Sequence, residues 1–364
     1  MGRLHDLHLE QGQSPWLDNL RRGWVTSGEL ERWVERGVRG LTSNPTIFQK
    51  AIESTDDYDE QFGDLVSSGG DIEDAYWDLV TTDIRSALGI LAPVYHSSNG
   101  VDGFVSVEVA PDLAHDTDRT IAAARHLHEM ISAPNLFVKI PGTQEGLPAI
   151  RTAITEGISV NVTLLFSVER YAEVIEHYLQ GLEARSGDLS AVASVASFFI
   201  SRVDTEVDRR LAAVGSAEAL ALQGRAAVAN ARVAYQLFLE AFSGPRWDAL
   251  AARGAQVQRP LWASTSTKNP DYPDTLYVDT LIGPDTVNTI PDATLADFED
   301  HGTVARTIDV DPDEARATLA AIADMGVDLA EVTTLLEAEG VSAFSKSFDE
   351  LLAVLETRAA QLRS

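Results

Sequence analysis

The chain contains no cysteine. Disulfides, thiolate zinc sites, iron–sulfur clusters and thiol nucleophiles are excluded together, and a reducing, cytoplasmic compartment fits that composition. Positive charge is scarce: 28 Lys and Arg stand against 56 Asp and Glu, a formal net charge of −28. A surface that acidic repels phosphate backbones and anionic membranes, so neither nucleic acid nor membrane is an expected partner. A small anionic substrate is not excluded, because a local cationic pocket acts at short range, where the distant field is screened. Long apolar runs are missing too. The longest, 191–200, is broken by Ser194 and Ser197 and falls far short of the roughly 18 residues that suggest a membrane span. The N-terminal stretch carries Arg3, Asp6 and Glu10 with no apolar core and is not expected to be a secretory leader. Asn161-Val162-Thr163 fits a glycosylation pattern and, without such a leader, reads as coincidence. There is no phosphate-cradling glycine-rich loop with its lysine, and no dinucleotide fingerprint.

The chain's 364 residues are 45% hydrophobic and 23% charged, which is ordinary for a globular protein. That length permits two domains or one large α/β barrel. Short apolar, β-rich runs recur at 15–20, 38–42, 104–109, 136–140, 158–165, 191–199, 260–263 and 287–290. Several are almost wholly apolar, as strands covered on both faces of a parallel sheet must be. Between them lie helical patterns, such as apolar positions 72, 76, 79, 80, 84, 88 and 91. Ser167 is placed to cap one helix and Asp311 another, with Pro312 at its first position and Glu314 set to complete a capping box. The stretch 344–362 predicts a closing amphipathic helix. The alternation predicts one (β/α)8 TIM barrel over 1–364 with extra terminal helices, a doubly wound open sheet being the alternative. The Gly-, Pro- and Arg-rich stretch 244–260 reads as a loop inserted before the seventh strand, and 66–70 as a loop between helices.

A barrel of this kind carries its site at the C-terminal ends of its strands. The polar residues at those ends are therefore the informative ones. Lys139 lies inside Leu136-Phe137-Val138-Lys139-Ile140, where a desolvated amine is either a nucleophile toward a carbonyl or a partner for an acid. Glu108, within Val105-Ser106-Val107-Glu108-Val109, can orient a water or proton, or pair with Lys139. Asp18, near the C-terminal end of the first strand, is a proton shuttle or a turn or helix-cap residue. Asn44, held extended by Pro45, either points into the mouth or caps the next helix. Asn161 and Thr163 are two apart and share one face of a strand. Arg202, past the sixth strand, suits phosphate or pairs with Glu206 four positions on. Ser264 and Lys268 follow the seventh strand, where barrels often bind phosphate. Arg125-His126-Leu127-His128 holds a His-x-His whose imidazoles diverge on a helix, so it is not expected to bind metal.

Taken in order, these motifs resemble the transaldolase family across most of the chain. The matching segments are Asp18, Thr42-Ser43-Asn44-Pro45-Thr46, Ser106-Val107-Glu108-Val109, Lys139, Asn161-Val162-Thr163-Leu164-Leu165-Phe166-Ser167 and Ser197 to Arg202. The resemblance implies a Schiff-base sugar-phosphate transferase, of the longer bacterial branch, in the non-oxidative pentose phosphate pathway. Such an enzyme moves a dihydroxyacetone unit from sedoheptulose 7-phosphate to glyceraldehyde 3-phosphate, giving erythrose 4-phosphate and fructose 6-phosphate. It needs no cofactor, and its partners are small sugar phosphates. The implied roles are imine formation by Lys139, proton transfer by Asp18, and placement of water by Glu108 and Thr163. Asn44 and Asn161 would bind the dihydroxyacetone hydroxyls. Ser197 and Arg202 would bind phosphate, with Phe199 shaping the pocket. The sequence departs from the family at one point: Ser264 is retained, but Ser266 stands where many members carry a second arginine, leaving Lys268 to supply that charge. Two alternatives remain at this stage: an aldolase that releases free dihydroxyacetone, and an inactive barrel that serves as a binding partner.

Overall fold

The computed structural model describes residues 2–362. Eight strands, β1 (Gln13–Leu17), β2 (Leu41–Thr42), β3 (Val105–Glu108), β4 (Leu136–Pro141), β5 (Val160–Leu165), β6 (Ser194–Phe199), β7 (Gln258–Ala263) and β8 (Thr286–Ile290), close into one barrel in chain order. Every pairing is parallel, including β8 against β1. This is the (β/α)8 architecture, with helices filling the crossovers. All eight expected strands are present, with shifted ends. β1 ends at Leu17, so Asp18 is the first residue beyond it. β2 is only Leu41–Thr42, although its approach stays hydrogen-bonded to β1 through Arg39 N to Pro15 O at 2.9 Å. Gly40 there lies flush on the Trp16 indole, and a Cβ would come within 2.4 Å of the ring.

The stretch 244–260, expected to be a loop, is instead a helix, Gly244–Ala251, a short turn and the start of β7. Pro245 sits in the first turn, where its missing N–H costs nothing. Ser167 and Asp311 cap their helices as expected, accepting from Arg170 N at 3.0 Å and Glu314 N at 3.0 Å. The reciprocal half of the capping box is absent, because the Glu314 carboxylate accepts from Arg225 instead, at 2.9 Å.

The opposite end of the barrel from the site is closed by a buried ionic group. Asp102 is fully buried and pairs with Arg39 at 2.7 Å and Arg259 at 3.1 Å. Burial raises its carboxyl, but the two guanidiniums outweigh that and hold it below the ordinary carboxylate range. The mouth is crossed by the long C-terminal helix, Leu329–Leu362, which packs on the helices Pro45–Ser54 and Ile72–Ser97. Gly340 permits the close approach, since a Cβ there would sit 2.8 Å from the Leu164 side chain. No helix among the described residues is long and apolar enough to cross a membrane.

Candidate active site

Register places the first pair. Glu108 and Lys139 are aligned neighbours on β3 and β4, and Lys139 is in turn aligned with Asn161 on β5. Only 5% of Lys139 and 6% of Glu108 is exposed. The Lys139 Nζ donates to Glu108 Oε2 at 2.9 Å and to the Ser43 carbonyl at 3.1 Å. Burial pushes the Glu108 carboxyl up, and the adjacent Lys139 opposes it.

Lys139 opens onto a cavity of about 130 Å³ at the strand ends. Asp18, Asn44, Thr163, Ser197, Phe199, Arg202, Ser264 and Lys268 line the same space. Asp18 accepts from Thr42 Oγ1 at 2.8 Å, and Thr42 also meets Thr289 Oγ1 at 2.5 Å. Burial raises the Asp18 carboxyl, against the Thr42 hydrogen bond and the fields of Lys139, Lys268 and Arg202. A carboxyl poised this way can accept and return a proton. Thr163 Oγ1 is buried with no hydrogen-bond partner. A bare hydroxyl lining the same cavity as the amine is a seat for water or a substrate oxygen, since buried polar groups otherwise find partners.

Asn44 adopts both of the roles open to it in sequence. It caps Pro45–Ser54 by accepting from Ile47 N at 2.9 Å, and it also lines the cavity. Ser197 lines the cavity while donating to Asn161 Oδ1 at 2.6 Å. Asn161 itself is fully buried behind the cavity wall, and its Nδ2 donates to Ser106 Oγ at 3.1 Å. Its amide is thus committed to neighbouring strands. Glu108 also stands behind the wall, reaching the cavity through Lys139.

Arg202 does not pair with Glu206, because Arg209 and Arg210 take both oxygens of that carboxylate. Its guanidinium lies 5.0 Å from the Phe199 ring and 6.0 Å from the Phe344 ring. Burial lowers its pKa, with Asp18, Glu108 and Glu339 opposing. Ser264, in the left-handed region at φ 57°, turns its hydroxyl onto Ser201 at 2.9 Å. Lys268 donates to Ser266 Oγ at 2.6 Å. The segment after Lys268 is tied to the Arg202 helix, Ser201–Val214: Tyr272 donates to Asp208 at 2.6 Å and Tyr277 to Asp204 at 2.8 Å.

Phe344 is one of the site residues that sequence reasoning missed. Its apolar period marked it as core, and it is 5% exposed. Yet it lines the cavity, with its ring centroid 6.0 Å from Lys139 Nζ. Thr289 and Pro291, after β8, line the cavity as well and carried no sequence signal. No cluster of three or more His, Asp or Glu with metal-binding geometry occurs among the described residues.

A family model described as transaldolase/fructose-6-phosphate aldolase matches residues 15–355. The chain belongs to that family. It is 53% identical over 346 residues to a transaldolase of Parafrankia sp. (strain EAN1pec), covering 94% of each chain. It is 52% identical over 348 residues to a transaldolase of Thermobifida fusca, covering 94% of this chain and 95% of the relative. A transaldolase of Mycobacterium leprae is 51% identical over 347 residues, covering 94% and 92%. The family match takes in every residue named around the cavity, including Phe344 in the C-terminal helix.

Proposed function

We propose that this family member is a transaldolase that moves dihydroxyacetone from sedoheptulose 7-phosphate to glyceraldehyde 3-phosphate through an imine on Lys139. The observation that carries the reading is a lysine amine, 5% exposed, at the floor of a cavity whose rim holds an unpaired arginine. Relatives at about half identity bear the name transaldolase.

The chemistry follows from the groups present. The Lys139 amine adds to the ketose carbonyl, and loss of water gives the imine, with Glu108 taking up the proton at Nζ. Asp18 accepts the proton from the hydroxyl on the carbon beyond the bond to be broken. The bond then cleaves, its electron pair is stored as the enamine, and erythrose 4-phosphate leaves. The enamine carbon attacks the aldehyde of glyceraldehyde 3-phosphate while Asp18 returns the proton to the new hydroxyl. Water held by Thr163 then adds to the imine and releases fructose 6-phosphate. Asn44 and Ser197 hold the dihydroxyacetone hydroxyls, with Asn161 bracing Ser197 from behind. Arg202 and Lys268 hold the phosphate. The aromatic rings of Phe199 and Phe344 limit water at the waiting enamine, which favours transfer over premature protonation and release. Charged sugar phosphates are retained inside cells, so the reading places the enzyme in the cytoplasm.

The test is borohydride reduction in the presence of fructose 6-phosphate, followed by peptide mapping. A reduced adduct on the peptide containing Lys139 supports the reading. An adduct elsewhere, or none, removes it. Aldol cleavage that proceeds at full rate without an acceptor aldehyde would make the protein an aldolase.

A further inference from the structure

The chain carries 56 acidic residues against 28 basic ones, so an exposed cation has carboxylates in surplus. Among the described residues, Lys50, Arg202 and Lys268 form no ion pair, a property they share with Arg3, Arg85, Arg151, Arg185, Arg232 and Arg253 elsewhere on the molecule. All three line one outer cavity of about 760 Å³, which opens from the mouth of the barrel. Arg202 and Lys268 also line the inner cavity beside Lys139, whereas Lys50 lines only the outer one. The chain has four lysines, and three of them line these two cavities. The fourth, Lys346, has a carboxylate partner, Glu350, at 3.7 Å.

Three carboxylates line the outer cavity, and each is hydrogen-bonded elsewhere: Asp18 accepts from Thr42 at 2.8 Å. Glu53 accepts from Gln49 at 3.2 Å. Asp292 accepts from Asn19 at 3.1 Å and faces Arg21 at 3.7 Å. Lys50 rides on Pro45–Ser54, whose first turn is pinned by Asn44, so its place relative to the inner cavity is set by a residue of that cavity. Partial burial first, then the repulsion of Arg202 and, to a smaller extent, Lys50, holds the Lys268 amine below the ordinary lysine value, with Asp18 opposing. None of the three carboxylates forms a salt bridge with Lys50, Arg202 or Lys268, so the three cations keep donors free for an anion.

We propose that Lys50 and Lys268 form an outer anion station that takes the phosphate monoester of an incoming sugar phosphate before it reaches Arg202. The proposal rests on the sugar-phosphate reading above. With a net charge of −28, most of the surface repels such a substrate, and a cationic mouth focuses its approach. Lys50 therefore acts on capture rather than on bond cleavage.

The experiment compares glyceraldehyde 3-phosphate with unphosphorylated glyceraldehyde as acceptors for the wild type, Lys50→Gln and Lys346→Gln. At about 20 mM ionic strength, Lys50→Gln should lower kcat/KM for the phosphorylated acceptor by roughly three- to tenfold. The loss should shrink below about twofold near 0.5 M salt, where the Debye length is only a few ångströms. Inorganic phosphate should inhibit Lys50→Gln correspondingly more weakly, and the ratio between the acceptors should fall. Lys346→Gln removes the same charge elsewhere and should leave that ratio unchanged. Equal losses with both acceptors, or no loss at low ionic strength, would overturn the station alone. A wild type that does not prefer the phosphorylated acceptor would overturn the substrate reading and the station with it.

Discussion

Lys139 and Glu108 stand side by side on adjacent strands, Nζ 2.9 Å from Oε2, both almost completely removed from water. Neither charge is stable there alone. Together they neutralise each other, and transfer of a single proton leaves a neutral amine beside a neutral acid. That transfer is what an attacking amine requires, and burial, which raises the Glu108 carboxyl, draws the proton the right way.

Lys139→Ala should therefore abolish both the borohydride-trapped adduct and turnover. Glu108, left without its partner, should take up a proton rather than carry a buried charge. The barrel should still fold, as far-UV circular dichroism will show. A trapped adduct that persists in this variant would place the imine on another lysine.

Asp18→Asn separates cleavage from imine formation. The amide still accepts from Thr42 but cannot take up and return the proton of the C–C bond step. Turnover should drop about 10²–10⁴-fold, the usual range for a lost general acid or base. The donor adduct should still trap with borohydride. Near-normal turnover would leave Asp18 with a structural role only.

Arg202 has no carboxylate to satisfy, so its loss should be read mainly in substrate binding. Arg202→Ala should raise KM for fructose 6-phosphate by roughly ten- to a hundredfold, the loss of one charge-assisted contact. Lys268→Ala should raise it less, since that side chain is only partly withdrawn from water and its amine is also bound to Ser266. Free fructose as donor should register little of either change. Equal effects on both donors would move the phosphate seat elsewhere.

Asp204 gives a pH dependence of opposite sign to an ordinary surface carboxylate. Burial raises it to about 6, against hydrogen bonds from Ala227 N and Tyr277. A raised carboxyl favours the folded state fully below its unfolded value near 4, and that benefit is lost as pH rises through about 6. Asp204→Asn stays neutral throughout. Urea unfolding should show this variant gaining on the wild type, by of order 1–3 kcal/mol, as pH rises from 4 to 7. A constant difference over that range would refute the assignment.

Much of the fold was legible because a strand buried on both faces must be apolar along its whole length. Each of the eight runs announced itself locally, and Lys139 stood out as a charge set inside one of them. The stretch 244–260 misled, since Gly and Pro at a helix start look like a loop until the turn they begin is seen.

The sequence by itself determined the number and order of the strands, the charge buried in the fourth, and the succession of motifs that marks the family. These are properties of neighbours along the chain. Tertiary structure alone decided which charges found partners. Glu206 went to Arg209 and Arg210, leaving Arg202 unpaired at the rim. Asn161 was committed to Ser106 and Ser197 behind the cavity wall. Phe344 came back from the last helix to stand 6.0 Å from Lys139. Coulomb energy and hydrogen bonding depend on distances of a few ångströms, and in a closed barrel register and crossover set those distances between residues far apart in the chain.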